Sequence, residues 1–284
     1  MKITTVVSGY FKLDGGAMFG VVPRTLWQKL HKPDELNLCT WAMNSLLIET
    51  GNKKILVDTG IGNKQIDRMN KMFFPHGPNT LESLANIAIN PEEITDVFLT
   101  HLHFDHVGGA VDLAENGNLV LRYPNATYWS NDAHYQWAYK NNAREQASFL
   151  KENFVPLAES GQLKMIDVQT EDVHWMDNIQ VRFLYGHTHA MMILKIPLDA
   201  KRWLWYGADL IPSQWHIRRP YIMAYDMSAL HTLSEKERLL THLATSDDIL
   251  YFEHDPFIES AQIEIDERGR FALTKSGKLA ELIE

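Results

Sequence analysis

The sequence THLHFDHVGG, residues 100–109, follows directly on the apolar run VFL. A short apolar run that ends in turn residues is typical of a buried strand. If the chain stays extended, the side chains of His101 and His103 project to the same side, because strand side chains repeat every second residue. Asp105 and His106 come next, just before a pair of glycines where the chain must turn. The stretch therefore predicts three imidazoles and one carboxylate crowded together at the end of a strand.

The residue types in this cluster are those of a metal site. Neutral imidazole and carboxylate are the ligands that zinc and other divalent first-row metals favour. Four such groups would be costly as structural residues, because protonated rings repel one another and buried unpaired rings lose their hydration. The alternative is a solvated, histidine-rich loop without chemistry. A metal site explains the crowding better, since titratable groups rarely gather at a buried strand end without a function.

Composition excludes several other classes of protein. The chain has 284 residues, of which 45% are hydrophobic and 22% charged, as in a compact globular protein. Its formal net charge is −9, and basic residues occur only in short pairs, so we expect a small-molecule substrate and no nucleic-acid partner. No apolar stretch is long enough to span a bilayer, and no secretory apolar segment follows Met1, so we expect no membrane association and a cytoplasmic location. Cys39 is the single cysteine, which excludes an intramolecular disulfide.

Strand and helix patterns alternate along the chain, without a Pro/Gly/Ser-rich linker or a long repeat. Segments 45–49 and 53–58 predict a β-hairpin whose short turn contains Gly51. Segment 228–244 predicts the clearest helix of the C-terminal half. The apolar face of this helix is predicted to consist of Leu230, Leu233, Leu240 and Leu243. We therefore predict an α/β chain with a single domain over residues 1–284.

Together with later motifs, H-x-H-x-D-H resembles the metallo-β-lactamase superfamily of metallo-hydrolases. The further matching motifs, in the order of the family, are DTG at 58–60, GHT at 186–188, GADL at 207–210 and EHDP at 253–256. The resemblance implies the fold of that family, a four-layered αβ/βα sandwich. In this fold two mixed β-sheets pack face to face with helices outside, and a metal site lies along one edge.

The resemblance also implies two divalent metal ions, for which zinc is the expected metal and Mn²⁺ or Fe²⁺ are compatible alternatives. Carried over position by position, the ligands of the first ion would be His101, His103 and His187. Those of the second would be Asp105, His106 and His254, and Asp209 would bridge both. The local motif favours two ions, because its ligands cannot all wrap one tetrahedral ion, whereas two ions about 3.5–4 Å apart can share them.

Three of the distant assignments leave alternatives open. His187 and His189 lie two positions apart, so periodicity alone does not separate them, and the GHT match favours His187. His189 then becomes a candidate pocket residue. Glu253 or Asp255 could be the ligand in place of the histidine between them. An isolated carboxylate at a strand end, as in GADL, can also be a turn or helix cap.

The chemistry that the resemblance implies is hydrolysis by a hydroxide that bridges the two metal ions. The catalytic residues would be Asp105 and Asp209, either of which could pass a proton to the leaving group. Asp58 is expected to orient a ligand histidine. We predict a hydrolase of an ester or lactone bond. The alternatives are a phosphotriester hydrolase, a thioester hydrolase similar to glyoxalase II, and a non-catalytic metal-binding protein.

Segment 15–37 is too apolar for an ordinary surface loop. It either packs against the sandwich or forms an apolar lid over the metal cleft. With this segment, the chain resembles the branch that contains N-acyl-homoserine lactonases and methyl-parathion hydrolases, some of which form homodimers. Those lactonases carry a tyrosine three residues after the bridging aspartate, where this chain has Pro212. His216, Tyr221 or Tyr225 would have to supply the missing donor. The candidate pocket residues are Met18, Phe19, Trp27, His189, His216 and Tyr221.

Overall fold

The computed structural model describes residues 1–283. The chain divides into two compact units, which are described separately. Unit 1 comprises Met1–Tyr10 and Met43–Val168, and unit 2 comprises Phe11–Ala42 and the chain from Gln169 onward. Strands and helices alternate in both units, and each unit contains strands of a mixed sheet, which confirms the predicted α/β class. The single domain stays a prediction.

The strands pair into two mixed sheets and a small ribbon. In chain order they are β1 (Lys2–Asp14), β2 (Leu38–Thr50), β3 (Lys53–Val57), β4 (Asp96–Phe98), β5 (Val111–Leu113), β6 (Leu119–Leu121), β7 (Thr127–Ser130), β8 (Leu163–Met165), β9 (Val173–Met176), β10 (Ile179–Leu184), β11 (Met191–Pro197), β12 (Trp203–Tyr206), β13 (Ile249–Tyr251), β14 (Ser260–Ile265) and β15 (Phe271–Gly277). The first sheet has the order β1-β2-β3-β4-β7-β8, the second has the order β15-β14-β13-β12-β11-β10-β9, and β5 pairs with β6.

The α-helices lie between and after the strands along the chain. In chain order they are α1 (Gly15–Phe19), α2 (Arg24–Trp27), α3 (Ile66–Met72), α4 (Thr80–Asn86), α5 (Phe104–Val107), α6 (Asp132–Tyr139), α7 (Lys151–Glu159), α8 (Ala229–Leu243) and α9 (Leu279–Ile283). Within residues 1–283, none of these helices combines the length and the apolarity that crossing a bilayer requires.

The centre of unit 1 is built on a predicted hairpin and on parallel strands. β2 and β3 pair antiparallel with Thr50 opposite Lys53, which confirms the hairpin, and Gly51 supplies its left-handed turn residue with a φ of 53°. β4 lies parallel to both β3 and β7 and is buried along its whole length. A strand paired on both sides gives a rigid base for the loop that follows it.

The packing of α8 differs from the predicted apolar face. Leu240 and Leu243 are buried, but Leu230 exposes 79% of its surface, so its predicted burial is wrong. The buried face instead includes Glu235 and Lys236, because both side chains find backbone partners. The remaining buried positions of this face are Thr232, Leu239, Leu240 and Leu243.

Lys236 fastens a loop of unit 2 to α8. Its Nζ donates hydrogen bonds to the carbonyl oxygens of Arg218, at 3.0 Å, and Tyr221, at 2.6 Å. The Lys236 side chain is fully buried. A neutral amine carries two N–H donors, which suffice for these two acceptors. The hydrogen bonds therefore explain how a lysine fits an otherwise apolar helix face.

Segment 15–37 forms part of the interior of unit 2. Met18, Phe19 and Trp27 expose at most 1% of their surface. The Phe19 ring stacks on Trp27 at 5.3 Å between centroids and on His216 at 5.5 Å. These contacts support the packing interpretation, while Val21, which exposes 89% of its surface, lies outside this cluster. The lid remains a prediction.

The buried amine of Lys236 predicts a pH dependence of stability. Burial lowers the pKa of Lys236 to about 7 from its usual 10.5. Between these values the unfolded chain binds more protons than the folded chain. This group therefore makes the free energy of unfolding rise with pH, by up to about 1.4 kcal/mol per pH unit. We expect the stability of the wild-type protein relative to Lys236→Met to increase from pH 7 to 10 in urea titrations. A difference that stays constant over this range would show that the folded protein keeps the amine protonated.

Candidate metal centre

The loop after β4 carries the residues of the opening motif. β4 ends at Phe98, and α5 begins one residue after His103, whose backbone is still extended (φ −68°, ψ 153°). His101 and His106 are fully buried, and His103 and Asp105 expose 6% and 8% of their surface. The sequence prediction of a buried cluster behind a strand end is therefore confirmed at the level of the loop.

The DTG segment, residues 58–60, holds the backbone of this loop. The backbone N–H of Thr59 donates to the carbonyl oxygen of His106 at 2.7 Å, and that of Gly109 donates to the carbonyl oxygen of Gly60 at 2.8 Å. A Cβ atom on Gly109 would lie 2.2 Å from the carbonyl oxygen of Thr59, so no larger residue fits. The glycine pair that follows the ligands is thus required by this close approach of two backbone segments.

Asp58 orients two of the histidines. Its Oδ2 lies 3.0 Å from Nδ1 of His106 and accepts a hydrogen bond from the Thr100 hydroxyl at 2.6 Å. That hydroxyl lies 3.1 Å from Nδ1 of His101. Because Nδ1 of each ring is engaged in this way, Nε2 is the nitrogen that each ring offers to a metal. The contacts agree with the orienting role predicted for Asp58.

The ligand atoms of unit 1 form two close pairs. Nε2 of His101 lies 3.0 Å from Nδ1 of His103, and Nε2 of His106 lies 3.7 Å from Oδ2 of Asp105. Two imidazole lone pairs that converge so closely match the way histidines share a metal ion. The four predicted ligands of unit 1 therefore lie in two close pairs.

In unit 2, Asp209 lies between two histidines. Its Oδ2 is 3.0 Å from Nε2 of His187, and its Oδ1 is 3.0 Å from Nε2 of His254. All three side chains are buried, with at most 6% of each residue exposed. A carboxylate that turns one oxygen to each of two histidines has the arrangement that a bridge between two cations needs.

The two histidines of unit 2 are oriented from behind. Nδ1 of His187 lies 2.8 Å from Oδ1 of Asp226, and Nδ1 of His254 lies 2.7 Å from the carbonyl oxygen of Ala42. Desolvation lowers the pKa of His187, but Asp209 and Asp226 outweigh it and raise the pKa to about 10. A metal ion at Nε2 must therefore displace a tightly held proton, so metal uptake competes with protonation.

Glu235 of α8 shapes the loop that leads to His187. Its carboxylate accepts the backbone N–H of Tyr185 at 2.7 Å and that of Gly186 at 3.1 Å. Desolvation raises the pKa of Glu235. A Cβ atom on Gly186 would lie 2.3 Å from the Thr232 hydroxyl, so the glycine of the GHT motif lets this loop lie against α8.

Asp255, one of the alternatives to His254, contacts backbone groups. Its carboxylate accepts backbone N–H groups from Gln214, Phe257 and Ile258 at 2.8–3.0 Å and so stabilises a turn. Of this aspartate and its neighbour His254, the histidine is the one whose side chain contacts Asp209.

His216 has a structural place in unit 2. Its Nδ1 lies 2.7 Å from the Ser213 hydroxyl, and its Nε2 lies 2.9 Å from the carbonyl oxygen of Met18. Desolvation lowers the pKa of His216 to about 3, so the ring is neutral. Nε2–H then donates to Met18, and Nδ1 accepts from Ser213. Nε2 thus holds segment 15–37 through Met18, and Nδ1 is engaged by Ser213.

The remaining predicted pocket residues differ in exposure. Tyr221 is buried, and its hydroxyl accepts a hydrogen bond from Nη1 of Arg218 at 3.1 Å. His189 is half-buried and packs edge-on against Tyr185 at 5.4 Å between ring centroids. Tyr225 exposes 37% of its surface. Among the residues considered as donors in place of the tyrosine missing at Pro212, Tyr225 is therefore the most exposed.

The residues present fit divalent metal ions. Within each unit, the predicted ligands are buried His and Asp side chains. Such a set of imidazoles and carboxylates matches the preference of zinc and its neighbours in the first row. Sequence reasoning missed Asp226, which no local spacing connects with His187.

Comparison with known proteins gives curated relatives, which are the same protein from two strains, and a set of similar structures. Exodeoxyribonuclease WalJ of Streptococcus pneumoniae (serotype 2, strain D39) is 34% identical over 86 residues. The match spans 30% of this chain and only 26% of that protein. The matched part of the chain thus corresponds to about a quarter of the length of this relative.

Two solved structures resemble nearly the whole chain. A probable metal-dependent hydrolase from Staphylococcus aureus has a TM-score of 0.84 and 25% identity, with 96% of this chain and 97% of that chain covered. AidC, a dizinc quorum-quenching lactonase, has a TM-score of 0.77 and 21% identity, with 96% of this chain and 94% of that chain covered. The likeness to AidC shows a common fold.

The sequence pattern of one family covers more than half of the chain. The family described as the metallo-beta-lactamase superfamily matches residues 41–199. The matched region contains the H-x-H-x-D-H, DTG and GHT motifs. The chain belongs to the metallo-β-lactamase superfamily of metal-dependent hydrolases.

Proposed function

We propose that this protein is a dinuclear metal-dependent hydrolase that cleaves an ester or lactone bond. The observation that carries the proposal is the position of Asp209, whose two oxygens contact His187 and His254 separately. In the proposal, Asp209 binds both metal ions. The other ligands are His101, His103 and His187 for one ion, and Asp105, His106 and His254 for the other.

The pairs of ligand atoms support this division. In unit 1, His101 lies close to His103, and Asp105 lies close to His106. Each pair provides two ligands of one proposed ion, and each histidine beside Asp209 adds a third. Zinc is the proposed metal, because imidazole and carboxylate suit it and because AidC is a dizinc protein. Mn²⁺ and Fe²⁺ fit the same donor types.

The ions and the protein contribute different parts of the reaction. When bound, the two ions supply an activated water and polarise the electrophilic oxygen of the substrate. Asp105 and Asp209 keep small exposed fractions of 8% and 6%, so either carboxylate can exchange a proton with a leaving group. Desolvation raises the pKa of Cys39 to about 12, so this buried thiol is not a nucleophile at neutral pH.

The ester or lactone class is supported by the similar structures. AidC is described in complex with an acyl-homoserine product, and an N-acyl homoserine lactone hydrolase, also holding its product, is 20% identical with a TM-score of 0.69. A second candidate is phosphodiester hydrolysis, which the match to an exodeoxyribonuclease favours. The net charge of −9 supports a small-molecule substrate over nucleic acid.

Loss of the bridging carboxylate is expected to abolish hydrolysis. We expect the zinc- or manganese-loaded wild-type protein to hydrolyse an acyl-homoserine lactone or a p-nitrophenyl ester. Asp209→Asn should lower kcat at least about 100-fold, because the two cations lose their shared negative charge. The effect of the substitution is measured as initial rates of hydrolysis on a panel of substrates. The panel contains the lactone, the p-nitrophenyl ester, a phosphotriester, a thioester and single-stranded DNA.

Asp172→Asn is the control, since it removes an aspartate carboxylate of unit 2 that pairs with Arg182 and contacts none of the predicted ligands. It should keep wild-type rates. Equal rates in Asp209→Asn and wild type would contradict the bridging role. Turnover of DNA without turnover of esters or lactones would favour the second candidate. If protein that holds two ions per chain hydrolyses no substrate on the panel, the proposed substrate class is ruled out.

Removing the carboxylate of Asp226, which contacts His187, is expected to weaken the binding of one metal ion. Partners of this kind fix the orientation and basicity of a ligand ring, and their loss costs about 10–100-fold in metal affinity. We expect Asp226→Asn to lower zinc affinity by this factor, measured at pH 8 by competition with a chromogenic chelator. Asp172→Asn again serves as the control. Wild-type affinity for both ions in Asp226→Asn would contradict the assignment of His187 as a ligand.

A further inference from the structure

A buried glutamate of unit 1 faces one of the proposed ligands. Glu145 exposes 3% of its surface, and its Oε1 lies 3.7 Å from Nε2 of His103. The other ring nitrogen, Nδ1, lies 3.0 Å from Nε2 of His101. The two nitrogens of His103 thus face different partners: Nδ1 faces another proposed ligand, and Nε2 faces a carboxylate.

The carboxylate of Glu145 is held in place from its other side. Oε2 accepts a hydrogen bond from Nε1–H of Trp137 at 2.7 Å and one from the side-chain amide of Asn142 at 2.7 Å. The Asn142 side chain also accepts the backbone N–H of Glu145 at 3.2 Å. With Oε2 fixed by two donors, Oε1 is the oxygen that points to His103.

The turn that contains Glu145 also packs against the imidazole. The ring centroid of Phe149 lies 4.6 Å from that of His103, and the carbonyl oxygen of Ser148 accepts the backbone N–H of Phe104 at 3.0 Å. The side chains of His103 and Glu145 expose only 8% and 3% of their surface. Water therefore has little access to the pair, and its electrostatic interaction is weakly screened.

Burying a carboxylate costs free energy unless it pairs with a positively charged or N–H donor group. Ligand histidines in metal sites commonly donate their second ring N–H to a carboxylate. Asp58 has this position behind His106, and Asp226 has it behind His187. Glu145 lies on the corresponding side of His103, at a longer separation of 3.7 Å between Oε1 and Nε2.

We propose that Glu145 is a positioning residue whose carboxylate, 3.7 Å from Nε2 of His103, attracts the proton on that nitrogen and thereby leaves Nδ1 as the metal-binding atom. The inference rests on the proposed function, in which His103 is a ligand. It assigns a role to a residue outside all the motifs that mark the superfamily in this chain. The charge of Glu145 makes the ring a stronger donor and stabilises the ion bound by His101, His103 and His187.

Zinc affinity tests this role without a substrate. We expect full-length Glu145→Gln to bind two zinc ions, one of them about 10–100-fold more weakly than in wild type, by chelator competition. Glu152→Gln is the matched control, because it removes the same charge nearby, where the carboxylate contacts Gln65. The control should keep both affinities. Wild-type affinities for both ions in Glu145→Gln would overturn the inference.

A second comparison separates positioning from folding. In a His103→Asn background the imidazole is absent, so adding Glu145→Gln should cause no further loss of zinc affinity. An equal loss in both backgrounds would mean that Glu145 acts through the fold, which overturns the inference. Glu145→Asp keeps the charge and should recover part of the affinity. Thermal unfolding in excess chelator monitors the fold of each variant.

If Glu145→Gln does not fold, Trp137→Phe addresses the same point. This change removes one donor that holds Oε2 but keeps the carboxylate, so the same zinc ion should bind more weakly. Unchanged affinity would overturn the inference. If the wild-type protein binds two zinc ions but hydrolyses no substrate on the panel, the proposed substrate class is contradicted. The role proposed for Glu145 is not affected by that result. Wild-type protein that binds no divalent metal overturns both proposals.

Discussion

The loop after β4, which carries the predicted ligands of unit 1 and is called the ligand loop below, depends on the carboxylate of Asp58. Oδ1 accepts the backbone N–H of Thr100 at 2.8 Å, and Oδ2 faces the Thr100 hydroxyl and Nδ1 of His106. One side chain therefore fixes the backbone at the end of β4, the orientation of one histidine and, through a hydroxyl, that of His101. Because Asp58 has no exposed surface, these hydrogen bonds compensate for its lost hydration.

The same physical solution recurs behind the other histidines. His187 contacts a carboxylate, and His254 contacts a backbone carbonyl oxygen. In each case one ring nitrogen is engaged away from the ligand cluster, which selects the nitrogen that remains. Rings whose tautomer and orientation are set by their surroundings need little rearrangement when a metal ion binds. Glu145 extends this arrangement to His103 in a way that only the folded chain reveals.

The sequence allowed the local part of the site to be predicted and left out the parts that depend on tertiary contacts. His101 and His103 could be paired because strand periodicity acts over two residues, and the hairpin around Gly51 could be predicted from its turn. Asp226 and Glu145 could not, because they reach their histidines across long stretches of chain. Lys236 was unexpected on an apolar helix face, since two carbonyl groups of a distant loop stabilise it. The predicted burial of Leu230 was wrong, since this residue exposes 79% of its surface.

The contact between Gly109 and the carbonyl oxygen of Thr59 limits how this protein can diverge over evolution. A Cβ atom on Gly109 would lie 2.2 Å from that oxygen, so no other residue fits at this position unless the backbone moves. Adaptation to a new substrate must therefore accumulate elsewhere, for example in exposed positions such as Tyr225 or Val21. The backbone of this loop is thus sterically constrained at Gly109, while the exposed positions carry no such constraint.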